Sequence, residues 1–435
     1  MSAKAPRVAP VRARLPALAR AIEKRKRGAS KPQTGVSPLL LAVLATVLSG
    51  IACGIGSVCA AGDGISGSFS PAGNCEPARQ YHMAALLNDG RVLIVGGMGT
   101  FGLGVLVNAA VFDPSKGKCE KTGELNVARN VATATTLNDG RVLVAGGETT
   151  LPGGLLGVVA SSELYDPIAA AFSPAATMAV ARELHTATLL NDGTVLIAGG
   201  EGHGGDALKT AEIYDPKAAI FLPTADLVVP VYKHTAALLD DGRVLIVGGE
   251  DATGYATDAA QIYDPSKHRF YATGKMSSVR KDHTATLLRG GEVLIIGGED
   301  NWGHALGSAE LYNPRTGQFR VVARMKSPHE AHTATLLGDG KVLVAGGFDA
   351  VNGVTSLSEL YDPLTRSFVQ TGSLATPREY STATELRDGQ VLVVGGFYWE
   401  LGDSRLLDSA ELYREECRAA GREPIFRRSD DQASP

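Results

Sequence analysis

Residues 185–200 read HTATLLNDGTVLIAGG, the clearest copy of a pattern that recurs along the chain. Two short apolar runs flank Asp192-Gly193, a dipeptide that accepts the positive φ angles of a two-residue hairpin turn. The second run ends at Gly199-Gly200, where the missing side chains let neighbouring backbone approach closely. The stretch therefore predicts a β-hairpin whose second strand ends against another part of the chain.

The same hairpin occurs seven times along the chain. The double glycines that end the copies lie at 96–97, 146–147, 199–200, 248–249, 297–298, 346–347 and 395–396. Successive copies are 49 to 53 residues apart. A period near 50 with a double glycine is typical of a β array built blade by blade, so one folding unit has been copied around a ring.

Each repeat carries signals for two further strands. The segment Glu212-Ile-Tyr-Asp-Pro216 predicts a third strand, which ends at the proline because proline has no N–H to donate. A phenylalanine five residues after that proline predicts a fourth strand, and it recurs at Phe172, Phe221, Phe270, Phe319 and Phe368. Four strands per repeat predict an all-β fold, a seven-bladed β-propeller of four-stranded antiparallel blades.

The seventh blade needs an outer strand from elsewhere in the chain. No aromatic strand follows Tyr413 in register, but Phe69 precedes Arg79 by ten residues, as Phe368 precedes Arg378. We therefore expect the N-terminal segment to supply this strand and close the ring without an unpaired edge. Residues 421–428 are the competing candidate for that edge.

These features resemble the kelch family over residues 69–413. The residues that carry the resemblance are the double glycines, the Tyr-Asp-Pro segments and an arginine before the first strand in five repeats, at Arg79, Arg129, Arg182, Arg280 and Arg378. The resemblance implies a β-propeller of four-stranded blades. The repeats are also distantly similar to the propeller domain of galactose oxidase, whose copper is held by tyrosines and histidines, with one tyrosine crosslinked to a cysteine. Tyr81-His82 is the only Tyr-His dipeptide, and no cysteine is identifiably placed for such a crosslink.

The first 52 residues do not belong to the repeats. Residues 1–35 hold ten basic residues against one acid, the apolar stretch 36–52 follows, and 53–67 is rich in glycine and serine. This order predicts a basic cytoplasmic region, a signal or membrane-anchor segment and a flexible tether ahead of a propeller at 68–421 and a polar tail at 422–435. Three alternatives stay open: a lipoprotein lipidated at Cys53, a simple secreted protein and an uncleaved anchor. All three place the repeats outside the cytoplasm, in the cell envelope or beyond it.

Cysteine count and charge agree with export. If Cys53 carries lipid, the even set Cys59, Cys75, Cys119 and Cys417 remains for an oxidising compartment, although its pairing cannot be deduced and buried free thiols are the alternative. Without residues 1–52 the chain has 32 basic and 45 acidic residues, a formal net charge of −13. A surface of that sign repels phosphate backbones, which argues against nucleic-acid binding.

Five of the seven hairpins begin with histidine at equivalent positions. These are His82, His185, His234, His283 and His332, replaced by Ala132 and Ser381 in the other two copies. They are expected to ring the propeller axis. A ring of imidazoles could bind a metal, but one residue repeated by symmetry more often serves a structural hydrogen bond, so we predict a structural role and neither a metal nor a cofactor.

Three loops between second and third strands are longer than the others. From the second glycine to the glutamate position of the third strand the distance is 12 residues in blades 3 to 6, but 13, 16 and 15 in blades 1, 2 and 7. These three blades are neighbours once the ring closes. Their loops carry the apolar residues Phe101, Leu103, Leu151, Leu155, Leu156, Tyr398 and Trp399. The cluster predicts a binding rim on blades 7, 1 and 2, with a local cap over the channel as the alternative.

The sequence favours a binding function over an enzymatic one. We expect an exported, membrane-tethered, monomeric propeller that acts as a non-catalytic binding or scaffolding module for a protein or glycan partner. The alternative is a copper-radical oxidase-like or other carbohydrate-active enzyme. Acids at Glu148, Glu201, Glu250 and Glu299 lie one per blade beside the arginines, which favours ion pairs over a catalytic carboxylate pair.

Overall fold

The computed structural model describes residues 65–100, 104–349, 353–400 and 403–417. Within them the chain forms seven four-stranded antiparallel sheets and five short two-stranded ribbons, so the predicted fold class is confirmed. This part of the chain contains no helix long and apolar enough to cross a membrane. The segments predicted at 1–35, 36–52 and 422–435 lie outside the described residues, as does Cys53.

Each blade contains four strands, named A to D from the channel outward, and strands A of neighbouring blades contact each other all around the ring. Blade 1 contains Met83–Leu86, Val92–Val95, Ala109–Asp113 and Lys118–Lys121. Blade 2 contains Thr133–Thr136, Val142–Ala145, Ser162–Asp166 and Ala171–Pro174. Blade 3 contains Thr186–Leu189, Val195–Ala198, Ala211–Asp215 and Ile220–Pro223. Blade 4 contains Thr235–Leu238, Val244–Val247, Ala260–Asp264 and Arg269–Ala272.

The remaining blades follow the same plan. Blade 5 contains Thr284–Leu287, Val293–Ile296, Ser308–Asn313 and Gln318–Arg324. Blade 6 contains Thr333–Leu336, Val342–Ala345, Ser358–Asp362 and Ser367–Gln370. Blade 7 contains Thr382–Glu385, Val391–Val394, Ser409–Cys417 and, as strand D, Ile65–Asn74. The ribbons pair Arg79–Gln80 with Met98–Gly99, Glu148–Thr150 with Leu156–Val158, Val231–Tyr232 with Glu250–Asp251, Phe348–Asp349 with Gly353–Val354, and Phe397–Glu400 with Asp403–Leu406.

The N-terminal strand closes the ring, as the sequence predicts. Strand D of blade 7 pairs antiparallel with strand C along its length, and Phe69 lies opposite Tyr413. Their ring centroids are 5.0 Å apart, the same tyrosine–phenylalanine contact that joins strands C and D in blades 2 to 6. The strand begins at Ile65, inside the segment 53–67 that the sequence assigns to a tether. The competing segment 421–428 lies outside the described residues.

The hydrophobic core is divided into seven clusters, one between each pair of neighbouring blades. Strands B are buried throughout because a neighbouring blade covers each of their faces. This is why they read as unbroken apolar runs such as Val244–Val247, without the alternation of a half-exposed strand. Closing the ring therefore also completes the hydrophobic core, because the cluster between blades 7 and 1 contains residues from both ends of the described chain.

A buried ion pair fixes the entry of the chain into most blades. The arginine before strand A donates to the carbonyl of the first glycine of the pair and to a glutamate on strand C of the same blade. These pairs are Arg129–Glu163 at 2.8 Å, Arg182–Glu212 at 3.0 Å, Arg280–Glu310 at 2.7 Å and Arg378–Glu411 at 2.6 Å. The glutamate also accepts backbone N–H bonds from the linker that arrives from the preceding blade, as Glu212 does from Ala179 and Val180. The prediction that these arginines pair with the acids that follow the glycine pairs is therefore wrong.

Blade 1 lacks this arrangement. Ala110 stands at the glutamate position, and Arg79 is fully buried with only backbone carbonyls as partners, including those of Glu76 and Gly96. Burial lowers the pKa of Arg79 to about 10. A disulfide joins Cys75, just after strand D of blade 7, to Cys119 on strand D of blade 1. The junction that closes the ring is therefore covalent, whereas four other junctions have the arginine–glutamate pair.

Candidate functional site

One end of the central channel is surrounded by seven residues with left-handed backbone. Each lies two residues after the arginine that precedes strand A and one residue before the histidine, or at the equivalent place where a blade lacks these residues. They are Tyr81, Val131, Leu184, Lys233, Asp282, Ala331 and Tyr380, with φ between 45° and 54°. From Val131 round to Tyr380, each donates its N–H to the carbonyl of the preceding member at 3.1 to 3.4 Å. We call these seven the mouth residues. Their backbone conformation is costly for residues other than glycine, and these bonds between blades offset part of that cost.

Among the mouth residues, two tyrosine rings contact each other, and a lysine forms an ion pair with an aspartate. Tyr81 and Tyr380 meet across the closing junction with ring centroids 4.4 Å apart. Burial raises the pKa of both phenols, and the negative charges of Asp282 and Glu379 raise it further, so both stay protonated. Lys233 and Asp282 lie 3.5 Å apart, and that carboxylate raises the pKa of Lys233 above its ordinary range. The mouth therefore offers hydroxyl groups and a compensated pair of charges.

A second ring of residues surrounds the mouth, and its side chains differ in polarity from one side of the ring to the other. The residue after each glycine pair is backbone-paired with the residue before the mouth residue, as Glu201 is with Glu183. It is acidic in blades 2 to 5 and apolar in blades 6, 7 and 1: Glu148, Glu201, Glu250, Glu299, Phe348, Phe397 and Met98. At this position the ring is thus acidic on one side and apolar on the other.

Glu250 is the centre of a polar network on the acidic side. The Tyr232 hydroxyl donates to it, and Lys281 donates at 2.9 Å while lying 4.0 Å from Glu299. Burial alone would raise the pKa of Glu250, but the hydrogen bonds from Tyr232 and Lys281 outweigh that effect and lower it. Glu250 is therefore anionic at neutral pH, and Lys281 is already engaged by it.

The five histidines lie beneath the mouth and connect neighbouring blades. The Nε2 atom of each is hydrogen-bonded to the threonine hydroxyl that begins strand A of the preceding blade. The pairs are His82–Thr382 at 2.8 Å, His185–Thr133 at 3.1 Å, His234–Thr186 at 3.0 Å, His283–Thr235 at 2.8 Å and His332–Thr284 at 3.0 Å. Where Ala132 replaces the histidine, the facing position is Met83, so donor and acceptor are lost together.

Burial keeps these histidines neutral. It lowers the pKa of His82 and His332 to about 3 and of His234 to about 4, and places those of His185 and His283 well below the ordinary range. Across the described part of the chain, no group of three or more histidine, cysteine, aspartate or glutamate side chains is arranged to hold a metal ion. The structural role predicted for the histidines stays a prediction, now with a specific partner for each ring.

The predicted rim on blades 7, 1 and 2 is only partly exposed. Leu151, Leu155 and Leu156 flank the tip of a two-stranded ribbon in blade 2 and are 41%, 58% and 36% exposed. Tyr398 and Trp399 lie half-buried in the ribbon of blade 7, and the guanidinium of Arg405 lies 5.2 Å from the Tyr398 ring centroid. Phe101 and Leu103 lie outside the described residues.

Two exposed aromatic side chains were not identified from the sequence. Tyr255 in blade 4 is 59% exposed and Trp302 in blade 5 is 77% exposed. Both lie in loops between strands B and C, on the same face as the mouth. These loops have the ordinary length, so the search for long loops missed them. An aromatic residue beside the glycine of a tight loop, as in Gly254-Tyr255 and Trp302-Gly303, is the signal that could have identified them.

Comparison with known proteins agrees with the geometry. Residues 283–326 match the family model of the kelch motif. The fold is similar to the structure of YjhT, with 14% identity and a TM-score of 0.56 over 69% of this chain and 99% of that one. It is also similar to a novel fungal alcohol oxidase of the AA5 family in complex with copper, with 18% identity and a TM-score of 0.62 over 79% of this chain and 75% of that one. No curated protein sequence matches this chain significantly. The chain is therefore a seven-bladed β-propeller in which residues 283–326 match the kelch motif.

Proposed function

We propose that this propeller is an exported, membrane-tethered binding module that holds a protein or glycan partner on the rim of blades 7, 1 and 2. The observation that carries the proposal is the exposure of Leu151, Leu155 and Leu156 on a hydrogen-bonded ribbon, beside the apolar side of the mouth. Apolar side chains held in water by an ordered loop lose little entropy on binding, so they serve well as contact residues.

Two matched variants test the rim. The double variant Leu151→Asp with Leu155→Asp changes the exposed ribbon, and Ile168→Asp changes a residue of the same blade that is 96% exposed on the turn between strands C and D. The immobilised protein is challenged with envelope extract, and retained proteins and glycans are identified and quantified. A partner that is retained by the wild type and by Ile168→Asp, but is reduced roughly tenfold by the ribbon variant, supports the proposal. Equal retention by all three proteins overturns it.

The aromatic half of the rim is tested separately. Replacing Tyr398 and Trp399 with alanine is expected to weaken capture of the same partner by about 2 kcal/mol while the fold stays intact, because half-buried aromatic anchors dominate many interfaces. Full capture by the folded double variant assigns these side chains to a local cap of the channel.

Export is supported by the disulfide between Cys75 and Cys119, because such bonds persist in oxidising compartments. The basic and apolar N-terminal segments and Cys53 supply the proposed attachment. A Cys53→Ser chain that leaves the membrane fraction supports lipid attachment at this residue. If this variant stays in the membrane fraction and migrates unchanged, lipidation is excluded in favour of an uncleaved anchor.

A copper oxidase is the second candidate, because one of the similar structures is an alcohol oxidase in complex with copper. The described residues do not fit that metal. No three of the described histidine, cysteine, aspartate or glutamate side chains are arranged to hold a metal ion, and Cys75 and Cys119 are joined to each other, so neither is available for a crosslink to tyrosine. We therefore derive no reaction through copper. Stoichiometric copper in the purified protein together with peroxide release from sugars or alcohols would favour the oxidase.

A further inference from the structure

Tyr255 and Trp302 are held on the mouth face by two loops that are joined to each other. The Asn301 side chain accepts from the N–H of Ala256 at 2.5 Å and donates to the Ala256 carbonyl at 3.3 Å. Tyr255 adjoins Ala256 and Trp302 adjoins Asn301, so the two aromatic residues flank a direct bridge between blades 4 and 5. We call Tyr255 and Trp302 the aromatic pair.

Each loop is also ordered internally. The Asp251 carboxylate accepts from the Thr253 N–H at 2.8 Å, and the Asp300 carboxylate accepts from the N–H groups of Trp302 and His304 at 2.8 and 3.0 Å. The aromatic pair is therefore displayed by fixed backbone. Large aromatic side chains exposed on ordered backbone lose little conformational entropy when a ligand covers them.

Acidic side chains outnumber basic side chains around the aromatic pair. The loops 250–259 and 299–307 contain five acids and neither lysine nor arginine: Glu250, Asp251, Asp258, Glu299 and Asp300. Lys275 lies 3.2 Å from Asp258 and Lys281 lies 2.9 Å from Glu250, while the His304 ring lies 3.1 Å from Asp300, so the carboxylates still outnumber these two lysines by five to two. Aromatic faces next to an excess of carboxylates attract cations through both the ring quadrupole and the net charge.

We propose that the loops of blades 4 and 5 form a second binding site, distinct from the rim on blades 7, 1 and 2, for an arginine-rich polypeptide segment. A guanidinium stacks on tyrosine and tryptophan and forms paired hydrogen bonds with carboxylates, which suits both kinds of group here. The acids and aromatic side chains are spread over two adjacent blades. A single small cation would engage only part of them, whereas an extended chain with several cationic side chains can engage both loops.

The two tryptophans of the chain, Trp302 and Trp399, allow a direct test. In a Trp399→Phe background, Trp302 is the sole tryptophan and reports its own surroundings. The probe is a short peptide of alternating arginine and glycine, titrated while tryptophan fluorescence is recorded. Saturable change of the Trp302 emission, with an affinity that falls as salt is raised, supports the site. An unchanged emission throughout the titration overturns it.

Variants then locate the site. Trp302→Ala and Tyr255→Ala, measured by calorimetry with the same peptide, are expected to weaken binding by roughly 5-fold to 30-fold each, the range of about 1 to 2 kcal/mol for cation–π contacts. The matched control is Leu364→Ala, which truncates an apolar residue that is 93% exposed on the turn between strands C and D of blade 6 and is expected to leave affinity within about twofold. Peptide affinity that is unaffected by both aromatic variants overturns the proposal.

The source of the cation is tested with two further probes. A lysine–glycine peptide is expected to bind more weakly than the arginine peptide, because an ammonium group does not stack as a plane. An oligomer of glucosamine that binds more tightly than both peptides would overturn the assignment to a polypeptide. Loss of peptide binding in the Leu151→Asp, Leu155→Asp variant would likewise overturn the separation of this site from the rim.

Discussion

Two junctions between blades fix the linker by different chemistry. One lies between blades 2 and 3, and the other lies between blades 7 and 1. Between blades 2 and 3, Glu212 binds Arg182 and the arriving linker in one buried cluster. Between blades 7 and 1, Ala110 replaces that glutamate and the Cys75–Cys119 disulfide holds the linker. A linker that arrives from the preceding blade can be fixed by charge, because chain connectivity already keeps both blades together. The junction that joins the two ends of the propeller uses strand pairing and a covalent bond.

The largest expected effect is at the closing strand. Deleting residues 65–74 removes strand D of blade 7 and exposes the edge of strand C and the apolar cluster between blades 7 and 1. We expect this chain to lose its cooperative thermal transition or to aggregate, as followed by circular dichroism and light scattering. Deleting residues 422–435 is the control and is expected to leave the transition unchanged. Equal melting temperatures for the two truncations would contradict closure by the N-terminal strand.

The next largest effect concerns the charged junction. Glu212→Gln leaves the buried Arg182 without its carboxylate, so we expect a loss of roughly 3 to 5 kcal/mol in the free energy of unfolding, measured with urea. Blade 4 supplies the control, because it has Val231 and Gln261 at the two positions and Gln261 still binds its linker. The double variant Arg182→Val, Glu212→Gln copies that blade and is expected to lose less than the single variant. A double variant that is less stable than the single one would contradict this account.

The covalent junction is expected to contribute slightly less. Replacing Cys75 and Cys119 with serine opens a loop whose ends are 44 residues apart, which we expect to cost about 2 to 4 kcal/mol. The measurement is urea unfolding with and without a reducing agent. Reduction should lower the stability of the wild type to that of the variant and leave the variant unchanged. Identical stability of the oxidised wild type and the variant would show that pairing of strands C and D closes the ring unaided.

The smallest effect concerns the histidine bridges, which link five of the seven junctions. Because His234 has a pKa of about 4 in the fold and about 6.5 when unfolded, the unfolded chain binds more protons between these values. Its contribution is therefore complete above pH 6.5 and falls as the pH drops toward 4, by about 2 kcal/mol at pH 5. His234→Ala should cost roughly 1 to 3 kcal/mol at pH 7 and show a shallower loss of stability on acidification than the wild type. Parallel pH profiles for the two proteins would contradict the neutral, buried state.

The sequence predicted the blades and their closure because both depend on patterns with a fixed period. Phe69 could be assigned to blade 7 because its distance to Arg79 repeats that from Phe368 to Arg378. The partner of the arginines was missed because it lies on strand C, some 30 residues away, and only the loss of both residues in blade 4 hints at the pairing. The disulfide had a similar hint, since Cys119 takes the place of the strand D phenylalanine. The exposure of Tyr255 and Trp302 does not follow from any repeating sequence pattern, because it depends on the conformation of two individual loops.

The order of strands along the chain has a consequence for assembly. Strand D of blade 7 is synthesised before every other strand of the propeller, yet its partner is the last strand described, and 348 residues separate Ser68 from Glu416. Such distant pairing is slow to form, and until it does the growing arc presents an open apolar edge. The bond from Cys75 to Cys119 needs only blade 1, so it can hold the first strand beside its future position while six blades are built. Completion of the ring then requires docking of a strand that is already close, in place of a search by a free chain end.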